Sequence, residues 1–231
     1  MRHWTQLGVA PIPGSERTLG LYQSKDDFHI IISGGLELMN TRKHASEDAL
    51  GRLPCEKLSE TASARVLIGG LGMGFTLAAV LNAVGAQAEV TVAELIPEVV
   101  EWNRGELGER SGRPLDDPRT RVYVGDVAEL LRAADVAYDV IVLDVDNGPE
   151  GLSKQGNDWL YSERGITAAR KALNSTGLVG YWSAAADNAF RQRLQRCNFR
   201  VEEIQVYAHG NKGARHTLWL AHQQPKQHSR K

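Results

Sequence analysis

The chain has 231 residues, 42% hydrophobic and 24% charged, with 27 Lys+Arg against 28 Asp+Glu and a formal net charge of −1. That length buries a sizeable core as one globular unit, and the near-even charge leaves no basic field for nucleic acid or an anionic membrane surface. Cys55 and Cys197 are too few and too far apart for a disulfide framework or a cysteine zinc site.

The opening, MRHWTQLGVAPIPGSER, lacks the apolar run of a signal peptide, and no segment has membrane-spanning length. A cytoplasmic location is therefore expected. TLGLYQ and FHIIIS then form antiparallel strands joined by Lys25-Asp26-Asp27, with Gly34-Gly35 turning into LELM. A helix over 45–53 ends at Pro54. From Arg65 strand and helix alternate. Strands are predicted at 65–70, 89–95, 121–126, 138–145 and 177–184, with helices at about 74–84, 97–107, 127–133, 162–173 and 187–197. Such alternation means a parallel sheet covered on both faces. The last two strands, 199–208 and 216–222, leave no room for a crossover helix and should pair as a hairpin. The expected class is α/β, a Rossmann-like class I methyltransferase fold with a mainly parallel sheet, a C-terminal antiparallel β-hairpin and a short N-terminal β segment. The segments read as residues 1–60 for that β segment and its linking helix, 61–222 for the nucleoside-binding catalytic domain, and 223–231 for a mobile tail.

Chemistry concentrates at the carboxyl ends of the parallel strands. Val66-Leu67-Ile68 runs into Gly69-Gly70-Leu71-Gly72-Met73-Gly74 and then a helix. Gly70, Gly72 and Gly74 let the backbone turn sharply and approach a ligand at a helix N-terminus. Glu94, followed by Leu95, ends the next strand, where an acid can take both ribose hydroxyls. Asp126, followed by Val127, ends the third strand, where a carboxylate can accept from an adenine amino group. Asp144 and Asp146 close the fourth. The G-x-G-x-G spacing suits a sulfonium nucleoside, S-adenosylmethionine (SAM) or its decarboxylated form, better than a dinucleotide such as NAD. The stretch from Asp146 to Tyr161 is long for a strand–helix connection and reads as a lid over the acceptor, with Asn157, Asp158, Trp159 and Tyr161 as acceptor contacts. Trp182 is a further contact from the fifth strand. Seven histidines show no metal-ligand spacing, so no metal is expected. Asp187 reads as a helix N-cap, and Arg191, Arg193 and Arg196 as a solvated helix face.

The stretches RVLIGGLGMGFTL, VTVAELIPEVVE, DPRTRVYVGDVAELL, YDVIVLDVDNGP and YSERGITAARKAL, over about residues 65 to 173, resemble the spermidine synthase-like (polyamine aminopropyltransferase) family. The resemblance implies that Glu94 holds the ribose, Asp126 the adenine amine and Asp144 the reacting centre. It also implies a small-molecule amine substrate and association as a homodimer through the N-terminal β region. The chain departs from the family in four places. The acid usual in the glycine loop is absent from Leu71-Gly72-Met73. The Tyr-His-Glu stretch becomes Ser46-Glu47-Asp48. The Asp-Ser-x-Asp-Pro pattern shortens to Asp144-Val145-Asp146-Asn147, and the N-terminal β region is abbreviated. The expected function is alkyl transfer from SAM or decarboxylated SAM to a small amine, in the manner of aminopropyl transfer. SAM-dependent methyl transfer and non-catalytic nucleoside binding are the alternatives. In the first two, Asp144 attracts the ammonium and accepts its proton, with Asp146 beside it.

Overall fold

The computed structural model describes residues 4–145, 159–209 and 212–224. The chain opens with a four-stranded antiparallel sheet, β1 (Thr5–Pro11), β2 (Thr18–Ser24), β3 (Asp27–Ile32) and β4 (Leu36–Asn40), paired in that order. The first strand was not foreseen. Only Ala10 of its seven residues is buried, so it carries almost no periodic apolar signal. Helix α1 (Ala45–Glu56) crosses to the main sheet.

That sheet has seven strands: β5 (Arg65–Gly69), β6 (Glu89–Glu94), β7 (Thr120–Val124), β8 (Tyr138–Leu143), β9 (Leu173–Ser183), β10 (Phe199–His209) and β11 (Lys212–Gln223). Their spatial order is β10-β11-β9-β8-β5-β6-β7. Pairs β9-β8-β5-β6-β7 are parallel, whereas β11 runs antiparallel to both β9 and β10. The α/β class, the parallel core and the terminal hairpin are as the sequence predicts. Val66, Leu67 and Ile68 of β5 and Val140 to Leu143 of β8 are at most 1% exposed. A side chain buried on that scale contributes roughly 1.5–3 kcal/mol before entropy is counted.

Crossover helices are α2 (Phe75–Ala83), α3 (Pro97–Arg104), α4 (Glu106–Glu109), α5 (Val127–Ala133), α6 (Glu163–Ala172) and α7 (Asn188–Arg196). Several bounds differ from the expected ones for local reasons. Helix α1 continues through Pro54, because only one ladder bond is lost in the final turn and Gly180 on β9 leaves room for the ring: a Cβ there would meet Pro54 Cγ at 2.9 Å. The helix expected over 97–107 divides at Gly105 into α3 and α4. Strand β8 ends at Leu143, so Asp144 and Val145 follow the strand rather than finish it. Gln223, expected in the tail, ends β11 and donates from Nε2 to the Asn174 carbonyl at 2.9 Å.

Caps follow the residue chemistry. Asp187 accepts from the N–H groups of Ala189 and Phe190 at the start of α7, and Ser162 accepts from Gly165 at the start of α6. Arg193 is not merely solvated, since its Nη1 donates to the Tyr161 carbonyl at 2.8 Å and ties α7 to the segment before α6. Arg119 donates to the carbonyls of Leu81, Val84 and Gly85 at 3.0, 3.0 and 3.1 Å, satisfying the C-terminal end of α2, while Asp117 holds its guanidinium at 2.7 Å. The larger of the two buried clusters joins β1–β4 to one face of the main sheet, with Ile12, Leu19, Ile30 and Ile32 alongside Val66, Val90 and Val140. No helix among the described residues is long and apolar enough to cross a membrane.

Candidate active site

A cleft of about 860 Å³ lies over the carboxyl ends of β5, β6, β7 and β8. Parallel sheets place ligands there because the strand ends and helix N-termini converge on one edge. Of the positions expected from sequence, Gly70, Gly72, Glu94, Leu95, Asp126, Val127 and Asp144 all line it. The opposite wall was not expected: Leu19, Ile30, Leu38 and Met39 of the N-terminal sheet, with Ile12 just after β1, roof the cleft.

The loop after β5 follows the cleft because side chains are absent where the backbone needs space. Gly70 has φ +93°, and a Cβ on it would collide with the Asp144 backbone carbonyl. Strands β5 and β8 are neighbours, and Asp144 N–H donates to the Gly69 carbonyl at 2.9 Å, so this contact is fixed by the sheet register. Gly72 is held by Asn103, whose Nδ2 donates to the Gly72 carbonyl at 2.8 Å. Asn103 is 1% exposed and had no signal in the sequence. Gly74 is not part of the cleft lining. It caps α2 in a left-handed conformation, with Asn103 and Ser111 beside it.

Glu94 is 8% exposed. Its Oε2 accepts from the Leu71 N–H and its Oε1 from the Ile96 N–H, each at 2.9 Å. Those two bonds fix the carboxylate at the cleft wall. Burial pushes the Glu94 carboxyl above the usual range, opposed by the N–H groups of Ile96, Leu71, Gly72 and Leu95. A folded-state value above the unfolded one means that the folded protein keeps a proton which the unfolded chain has released. The stability this contributes is full below the unfolded value near 4.5 and is lost as pH rises through the folded value. Glu94→Gln, which cannot ionise, should therefore flatten the fall in stability over that window in ligand-free protein. Denaturant titrations from about pH 4 to about pH 8 measure it, and identical profiles for the two proteins would refute it.

Asp126 has two roles open to it. Its Oδ1 accepts from Ala128 N–H at 2.8 Å as the N-cap of α5, and the residue also lines the cleft. Leu95 and Val124 stand exposed nearby.

A second cavity, of about 350 Å³, adjoins the cleft at Met39, Gly72 and Asp144. Asn40, Glu47, Leu71, Met73, Phe75 and Thr76 complete it. The Thr76 hydroxyl donates to Asp144 Oδ2 at 2.5 Å. Met39 takes up the space beside Gly72, its Sδ 3.1 Å from where a Cβ would sit. Thr76 and Met39 were not singled out from sequence. A threonine one residue into a helix is ordinary, and Met39 reads as core.

Asp146, Asn157 and Asp158 lie outside the described residues. Tyr161 and Trp182 are placed differently from expectation. Tyr161 is 7% exposed and packs against Tyr181 and Phe190 at ring distances of 5.8 and 5.2 Å. Trp182 packs edge-on against His216 at 4.7 Å. The Trp159 ring carries the Arg132 guanidinium, 4.2 Å from its centroid. None of the three lines either cavity. Among the described residues no group of three or more His, Cys, Asp or Glu is gathered in a way that could hold a metal ion.

The family model described as "Spermine/spermidine synthase domain" matches residues 44–198. A polyamine aminopropyltransferase of Korarchaeum cryptofilum is 32% identical over 116 residues, 50% of this chain and 34% of that protein. One from Mycobacterium tuberculosis is 27% identical over 157 residues, 67% of this chain and 28% of that protein. The chain thus spans about a third of the length of these curated relatives. Among solved structures, a spermidine synthase in complex with the transition-state analogue AdoDATO superposes with a TM-score of 0.75 at 19% identity, covering 94% of this chain and 73% of that one. A spermidine synthase from Thermotoga maritima gives 0.73 at 18% identity, covering 94% and 72%. At such identities the likeness is one of fold.

Proposed function

Because the chain belongs to the spermine/spermidine synthase domain family, we propose that it transfers the aminopropyl group of decarboxylated SAM to a small amine. The observation that carries this reading is the junction of the two cavities at Asp144, with the larger one lined by the glycine loop, Glu94 and Asp126. The donor fits the cleft by the chemistry of its lining. Gly70 and Gly72 line the cleft without side chains, Glu94 presents a buried carboxylate to ribose hydroxyls, and Asp126 offers a second carboxylate on the same lining as the exposed Leu95.

When bound, the sulfonium nucleoside supplies an alkyl carbon already activated toward a nucleophile. The chain's part is to hold the acceptor in line and unprotonated. An aliphatic ammonium is mostly charged at neutral pH. Asp144 attracts it into the smaller cavity and takes its proton, and the Thr76 hydroxyl fixes the carboxylate's orientation. The N-terminal sheet shields the cleft from bulk water, which strengthens charge interactions inside.

A second reading, methyl transfer from SAM, is favoured by one observation. The loop position beside Met39 is Gly72, so a thioether stands where a carboxylate could have received the donor's propylamine.

Thermal unfolding with SAM, decarboxylated SAM and NAD separates these readings. A preferred ligand at about a hundred times its dissociation constant adds roughly 2.7 kcal/mol, or about 5–10 °C for a domain of this size. A shift with decarboxylated SAM, followed by alkylated diamine in the product mixture, is the expected result. A shift with SAM alone would move the assignment to methyl transfer, and no shift with either would remove the nucleoside reading.

A further inference from the structure

Among the described residues, Met39, Gly72 and Asp144 line both the cleft and the smaller cavity. They form the neck between the two spaces, so an alkyl chain running from a nucleoside in the cleft toward Asp144 passes between them. Gly72 has no side chain to place there. The width of the neck is therefore set by Met39, whose Sδ and Cε stand 3.1 and 3.3 Å from where a Gly72 Cβ would sit. The aminopropyl reading above gives Met39 no task.

A β-bulge brings Met39 to this position. Strand β4 pairs with β3 as Asn40 to His29 and Met39 to Ile30, and the ladder resumes at Glu37 with Ile31, leaving Leu38 as an extra residue. In a regular strand successive side chains go to opposite faces, yet Leu38 and Met39 both line the cleft. Glu37 clamps the bulge. Its Oε1 accepts from Asn40 Nδ2 at 2.6 Å, and His29 Nδ1 lies 2.7 Å from its Oε2. His29 and Asn40 are each 6% exposed, which keeps water from competing for these bonds. Asn40 Oδ1 also accepts from the Arg42 N–H at 3.0 Å. Met39 itself is partly buried and packs on the larger core cluster, so it leaves the neck only by giving up that contact.

We propose that Met39 is a specificity-determining residue for the donor: it narrows the neck so that an unbranched alkyl group passes and one branched at its third carbon does not. The proposal rests on the aminopropyl reading above and adds to it how the donor is chosen. The aminopropyl group is an unbranched chain ending in an ammonium. The corresponding chain of SAM carries a carboxylate on its third carbon, and that branch is the whole difference between the two donors. Extra bulk forced into an occupied space displaces side chains from their preferred rotamers and weakens binding. Selection by width needs no charged partner, and the thioether, apolar and polarisable, packs well against a slim hydrocarbon chain.

The test is calorimetric titration with uncharged thioether nucleosides: 5′-methylthioadenosine, 5′-butylthioadenosine and 5′-(3-methylbutyl)thioadenosine. The butyl chain has the shape of the aminopropyl group, and the 3-methylbutyl chain adds a branch where SAM has its carboxylate, so shape is read without charge. Wild type should bind the methyl and butyl compounds and bind the 3-methylbutyl compound roughly tenfold or more weakly than the butyl one. M39V removes the atoms beside Gly72 and suits a strand, so it should bring the two longer compounds within about threefold of each other. M39L, which conserves volume, should keep the wild-type discrimination. Equal binding of the two longer compounds by wild type overturns the proposal even if no variant folds, and leaves the nucleoside reading standing. Discrimination that persists in M39V, or in M39A should M39V not fold, places the selection elsewhere and overturns the role of Met39. No binding of any of these compounds to wild type removes the nucleoside reading itself.

Discussion

Asp144→Asn is expected to lower turnover by roughly 10²- to 10⁴-fold while leaving nucleoside binding intact. The substitution keeps the size of the side chain and an oxygen to accept the Thr76 hydroxyl, which now donates to Oδ2 at 2.5 Å. It removes the negative charge and the ability to take a proton. Asp144 N–H still donates to the Gly69 carbonyl, so the strand-end geometry does not depend on the changed group. Single-turnover formation of the thioether nucleoside measures the chemical step, and the thermal shift with donor measures binding separately. A variant with undiminished turnover would remove Asp144 from the chemistry. One that lost donor binding in proportion to turnover would make it a binding residue only.

Gly70→Ala should have the largest effect on stability. The backbone at Gly70 is left-handed at φ +93°, which costs an L-residue about 1–3 kcal/mol. The added methyl would also run into the Asp144 carbonyl on the neighbouring strand, a backbone atom that cannot swing aside. Together these should exceed about 3 kcal/mol, or roughly 6–12 °C in Tm for a domain of this size. The loop would have to move away from Asp144, so the donor-dependent thermal shift should vanish even where the variant stays folded. A folded Gly70→Ala protein with the wild-type shift would show that the close approach of β5 and β8 has no part in forming the site.

Much of the nucleoside side was legible in the sequence. Glycines and acids at successive strand ends mark one edge of a parallel sheet, because parallel register brings every carboxyl end to the same side. Gly70, Glu94, Asp126 and Asp144 accordingly line a single cleft. The acceptor side was far less legible. Glu47 was marked only as part of a stretch that departs from the family, and for Thr76 on α2 nothing in FTLAAV distinguishes a residue that lines a cavity from one that faces a neighbouring helix. Tyr161 shows the reverse case. An aromatic residue beside a long connection suggested an acceptor contact, yet packing against Tyr181 and Phe190 buried it in the core. Composition cannot separate these outcomes, since the same ring stabilises either one.

The sequence by itself determined the α/β class, the parallel core with its terminal hairpin, and the strand ends at which acids and glycines gather, because period, turn chemistry and crossover length are local properties of the chain. Only the tertiary structure decided that β1–β4 fold over the cleft, that Met39 fills the space beside Gly72, and that Ser46 on α1 meets His216 on β11. Those contacts join segments far apart in sequence. They exist because apolar faces of separate elements had to be buried against one another, and no local pattern records which faces will meet.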